Sequence, residues 1–95
     1  MDEISNFSDE AETALIGAMI VKRSVIREIA NRVQLTDFYK DANRIVFGAI
    51  VDLDGSGSAV DILILSEHIK SIGKWSEVGG AAGMARYTSV PVCPS

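Results

Sequence analysis

Residues that build metal and redox sites are scarce in this sequence. It has one cysteine, Cys93, and one histidine, His68. A lone cysteine closes no internal disulfide, and no CxxC or Cys/His array is present to hold zinc. The thiol in the tail "SVPVCPS" reads as incidental, in a reduced cytoplasmic protein. The two prolines, Pro91 and Pro94, both lie in that tail. Long apolar stretches are missing too. Runs such as Ala18–Val21 fall far short of the ~20 residues that span a bilayer. Met1-Asp2-Glu3 is acidic where a secretory signal wants a basic start. Positive charge is in deficit: the formal net charge is −4. Phosphate backbones and anionic membranes are gripped by basic surfaces, so neither is an expected partner.

Motifs for chemistry are equally thin. "GKW" at 73–75 lacks the Ser/Thr and the upstream glycine of a phosphate loop. "EVGGAAGM" has three glycines but no GxGxxG spacing. No catalytic, cofactor-binding or metal residue is assigned. "DLDGSG", residues 52–57, matches the first half of an EF-hand loop. The twelfth position, which needs a bidentate carboxylate, is Leu63, and Asp61 falls two places early. A calcium-binding module is the weakest of three functional alternatives; a helix C-cap turn explains the same residues.

What is abundant is helical periodicity. Val25, Ile26, Ile29, Ala30 and Val33 form one apolar stripe, and Ile45, Val46, Ala49, Ile50 and Leu53 repeat its spacing. Ile62, Leu65, Ile69 and Ile72 form a third, and Asp61 ahead of them is a good N-cap. These patterns predict an all-α fold, a compact bundle of about six short helices in one domain. The expected helices are 9–21, with Asp9 and Glu12 at capping-box spacing, and 24 to about 33, capped by Ser24. A short turn of helix follows at 36–39. Helices at 41 or 42 to about 54, 62–72 and 81–88 complete the set. The first helix is expected to be central and most buried. "DGSGS" should turn the chain, and Gly79-Gly80 should open the last helix. Residues 1–8 and 91–95 are expected to be flexible, flanking a helical domain at 9–90.

In "LTDFYKDANRIVFGAI", residues 35–50, every polar residue has an expected structural task. Thr36 or Asp37 caps the short turn, Asp41 caps the next helix, and Phe38 and Tyr39 plug the gap between helices. His68 lies off the third stripe, at a half-exposed helix edge.

The motifs together resemble the N-terminal domain of DnaB-type replicative DNA helicases. The matching residues are Glu10-Ala11-Glu12, Gly17, Asp37-Phe38-Tyr39, Ile45, Phe47, Ala49-Ile50, Val60-Asp61, Leu65 and Val78-Gly79-Gly80, in order from about residue 9 to 88. The resemblance implies a helical collar domain acting in hexamer assembly and in docking primase during DNA replication. It implies no catalysis in this stretch. ATP and magnesium would belong to a motor domain of the parent helicase, and the partners would be other helicase subunits, a primase and a helicase loader. The family continues past a "SVPSAAN"-like segment into a helical hairpin, whereas this chain reads "SVPVCPS" and stops. The resemblance then implies that the second half of the hairpin is absent. A standalone helical adaptor that binds or regulates a helicase is the alternative. Trp75, Met84, Tyr87 and Val90 either complete the core or form the protein interface, because Trp, Tyr and Met are enriched at interfaces.

Overall fold

A computed structural model describes residues 9–88, apart from the side chain of Asp9. The flexible ends expected at 1–8 and 91–95 and the thiol of Cys93 lie outside the described residues. Five α-helices follow one another: α1 (Asp9–Val21), α2 (Ser24–Arg32), α3 (Asp41–Gly55), α4 (Ile62–Ser71) and α5 (Gly80–Thr88). A 3-10 turn at Leu35–Asp37 lies between α2 and α3. No strand occurs among the described residues. The all-α expectation holds, including the helical assignment of "ILIL" at 62–65.

The caps explain most of the boundaries. The Asp61 carboxylate accepts the Ile64 amide at 2.9 Å and starts α4 as expected. Asp61→Ala is expected to lower stability by about 1 kcal/mol, read from a urea unfolding curve. Two other expected caps are not caps. Arg23, the residue before α2, is already in right-handed helical geometry (φ −59°, ψ −31°). The Lys22 and Arg23 carbonyls accept the amides of Val25 and Ile26, so Ser24 is the first helical residue and caps nothing. Asp41 likewise lies inside the first turn of α3, where its carboxylate pairs with Arg44 at 2.8 Å. An acid there still suits the helix dipole.

α3 and α4 end in the same way. After α3, Gly57 takes φ +81°, with Gly57 N–H donating to Asp54 O and Ser58 N–H to Leu53 O. After α4, Gly73 takes φ +76°, with the same pair of bonds to Lys70 O and from Lys74 to Ile69 O. This is the Schellman arrangement, which needs a left-handed residue after the last turn.

The hub is α3, not α1. It packs against α1, α2, α4 and the 3-10 turn, and buries Asn43, Val46, Phe47, Ala49, Ile50 and Leu53. α1 buries Glu12, Ile16, Gly17 and Met19, but Ala18 and the terminal Val21 face outward. Only some of its apolar residues are therefore enclosed. α5 returns to pack on α1 and α4 and closes the core with Met84 and Tyr87.

Candidate functional site

The most unusual feature of the interior is a carboxylate. Glu12 is 1% exposed, on the inward row of α1 shared with Ile16 and Met19. A buried carboxylate is stable only when its lone pairs are filled. Glu12 accepts the Tyr39 backbone N–H at 2.6 Å, the Asn43 side-chain amide at 2.8 Å and the Lys40 N–H at 3.4 Å. These donors lie where the chain leaves the 3-10 turn and enters α3. Glu12, expected in a capping box with Asp9, has its carboxylate turned into the core in long-range bonds; the Asp9 side chain lies outside the described residues.

Asn43, also fully buried, carries the network onward. Its carbonyl oxygen accepts the Tyr87 hydroxyl at 2.5 Å and an Arg86 N–H at 3.5 Å. Arg86 also donates to the Tyr87 hydroxyl at 3.2 Å and lies over the ring, 5.3 Å from its centroid. On the other side of the joint, Arg44 donates to Phe38 O at 2.9 Å, and Asp37 accepts the Gln34 N–H at 2.8 Å. The segment 37–44 is thus held from α1, from its own turn and from α5. This is a structural joint, and none of its groups is disposed as a nucleophile with a base.

The two aromatics of the joint part company. Phe38 is buried against Phe47, with ring centroids 4.7 Å apart. Tyr39 is 82% exposed and plugs no gap, contrary to expectation, because its amide is pinned inward by Glu12 while its side chain points out. Thr36, Asp37, Phe38, Tyr39 and Arg44 line a surface concavity of ≈ 420 Å³ beside it.

The other expected sites resolve differently. Asp52 and Asp54 lie within α3, which runs to Gly55. At about 100° per residue, two residues along a helix point roughly 200° apart. They cannot converge on one ion, and Asp54 is instead paired with Arg23 at 3.0 Å. Among the described residues, no group of three acidic, histidine or cysteine side chains converges to hold a metal. A calcium titration is expected to give no binding heat and no shift in melting temperature. His68 is half-buried as expected, with Nε2 enclosed and unpartnered among the described residues.

Of the four expected interface residues, Met84 and Tyr87 are core residues, each 2% exposed. They lie on the inward row of α5, which packs on α1 and α4, and the Tyr87 hydroxyl reaches Asn43 of α3, so neither is open to a partner on this surface. Trp75 is half-buried against the core, with the Lys70 ammonium 4.8 Å from its ring centroid. Val90 lies outside the described residues. Sequence reasoning missed the Glu12–Asn43–Tyr87 network. The available signal was position: each residue falls on the buried row of its helix, Asn43 with Val46, Phe47 and Ile50, and Tyr87 with Met84.

The sequence matches the family "DnaB-like helicase N terminal domain" over residues 4–93. The chain belongs to this family. It is 37% identical over 79 residues to the replicative DNA helicase DnaB of Treponema pallidum, covering 83% of this chain and 18% of that protein. It is 29% identical over 80 residues to the replicative DNA helicase DnaB of Leifsonia xyli, covering 84% of this chain and 18% of that protein. The chain therefore spans about a fifth of the length of these relatives. The crystal structure of the N-terminal domain of DnaB helicase from Mycobacterium tuberculosis superposes with a TM-score of 0.82 at 28% identity, covering 88% of this chain and 62% of that one. The DnaB N-terminal fold thus accounts for the order of helices described above. No helix among the described residues is long and apolar enough to cross a membrane.

Proposed function

We propose that this domain is the collar of a replicative DNA helicase, acting in the cytoplasm in subunit assembly and in docking primase during DNA replication. The family match over residues 4–93 carries this reading. The interior supports it: Glu12, Asn43 and Tyr87 are buried and hydrogen-bonded to one another, which suits a rigid supporting domain. ATP and magnesium belong to a motor domain of the parent protein. Its partners are neighbouring subunits, primase and a loader, with Trp75 and Val90 among the contact candidates. The acidic charge of −4 leaves nucleic acid to other domains.

The test is to delete residues 9–88 from the full-length parent helicase and follow assembly by analytical ultracentrifugation and primase binding by co-sedimentation. Loss of uniform hexamers and of primase, with the motor's ATPase retained, is the expected result. Hexamers that persist and still carry primase would overturn the assignment.

A further inference from the structure

We infer that the Glu12–Asn43–Tyr87 network is a coupling device, linking the position of α5 to the conformation of the Tyr39 joint and its concavity. The juxtaposition is specific. Tyr87 lies in the last turn of α5 (Gly80–Thr88). Tyr39, at the other end of the network, is the most exposed aromatic of the joint and edges the concavity formed with Thr36, Asp37 and Arg44. Between them only two side chains intervene, Glu12 and Asn43, and both are buried.

Asn43 makes the link all-or-none. A carboxylate only accepts hydrogen bonds, so Glu12 forces the NH₂ end of the Asn43 amide toward itself. The carbonyl end must then face α5, where Tyr87 and Arg86 are both donors. Turning the amide over would set oxygen against carboxylate at one end and NH₂ against the Arg86 guanidinium at the other. Both ends are therefore made together or lost together, which is the two-state behaviour that coupling between sites requires. Glu12 and Asn43 are closed off from the surface, so a half-made network is costly and intermediate arrangements are disfavoured. A tilt of α5 that withdraws the Tyr87 hydroxyl loosens Asn43. A loosened Asn43 frees Glu12, which alone holds the Tyr39 amide at 2.6 Å and fixes how the joint enters α3. Coupling of this kind is reciprocal, so a disturbance at the joint must also reach α5.

Amide hydrogen exchange on the intact 95-residue chain tests this in both directions. Tyr87→Phe keeps the ring and removes only the hydroxyl. It is expected to speed exchange at the Tyr39 and Lys40 amides roughly five- to tenfold beyond the change at Leu65 and Ile69 in α4, the range expected for one buried hydrogen bond. Ile69→Val, a core trim outside the network, is expected to shift all of these amides together. Glu12→Gln is expected to speed exchange across Met84–Thr88 by more than across α4. If Tyr87→Phe moves Tyr39 and Lys40 no further than it moves α4, the inference fails. If Glu12→Gln leaves α5 in step with α4, the reciprocal coupling is absent and the inference fails as well.

Discussion

Glu12→Ala is expected to lower the folding free energy by about 3–5 kcal/mol. The substitution removes the acceptor for the Tyr39 amide and the Asn43 side chain, two buried or half-buried donors, and for the longer bond from Lys40. Each buried donor left without a partner costs about 1–3 kcal/mol, and the vacated space adds to that. A domain of this size has about 5–15 kcal/mol in total, so the variant should be close to unfolding at ambient temperature. Urea titration followed by far-UV circular dichroism measures the loss directly. Glu12→Gln should fall between the variant and the parent, since one amide oxygen still accepts while the NH₂ group meets donors. A glutamate serving only as an exposed capping-box partner would cost well under half as much. A loss of less than about 1 kcal/mol for Glu12→Ala would therefore restore the capping-box role.

The second large effect has a sign opposite to helix propensity. Gly83 lies inside α5, where alanine ordinarily gains about 1 kcal/mol over glycine. Here a Cβ on Gly83 would collide with the Val78 carbonyl oxygen and lie 2.9 Å from the carbonyl carbon. Val78 itself is buried, and Gly79 packs its backbone against the Gly83 Cα, so the turn entering α5 has nowhere to retreat. Gly83→Ala is expected to destabilise by about 2–3 kcal/mol net, an overpacking penalty that exceeds the propensity gain. Gly48→Ala makes the comparison. Its Cβ would meet only the end of the Leu35 side chain at 3.3 Å, which can rotate away. That variant should stay within about 1 kcal/mol of the parent. A Gly83→Ala protein with a raised melting temperature would show that the Val78–Gly83 turn is looser than described.

Much of the architecture was legible because periodicity reports burial directly. The stripes of α2, α3 and α4 placed these helices to within a residue or two, and Asp61 announced where α4 begins. What periodicity could not tell was which helix is enclosed. α1 and α3 look equally apolar along the chain, and each packs against three other helices, but α3 also packs against the 3-10 turn, and that depends on the path of the loops. Cap assignments failed where the backbone did the work itself. Arg23 was already helical and Lys40 extended, so the side chains of Ser24 and Asp41 were free for other uses. The polar residues of the joint were expected to serve structure, yet the acceptor that holds its backbone, Glu12, was expected to act only locally. Glu12 and Asn43 lie 31 residues apart, and no local spacing rule connects them. Whether Met84 and Tyr87 belong to the core or to an interface was left open for a related reason. Large amphipathic side chains suit interfaces and cores alike, and the hydroxyl of Tyr87 had an inward partner that the sequence does not display.

The packing of α5 on α1 bears on how the polypeptide is made. The two helices meet, although α1 is the first and α5 the last of the described helices in chain order. Synthesis delivers residues at about 5–20 per second. During that interval α1, α2 and α3 can assemble, but the flank of α1 beside Ile16 and Met19 stays uncovered and Asn43 lacks its tyrosine. The nascent chain is then most vulnerable to sticky encounters, and only the arrival of residues 80–88 ends that exposure. Closure by α5 makes the burial of the α1 flank wait until all five described helices have been synthesised.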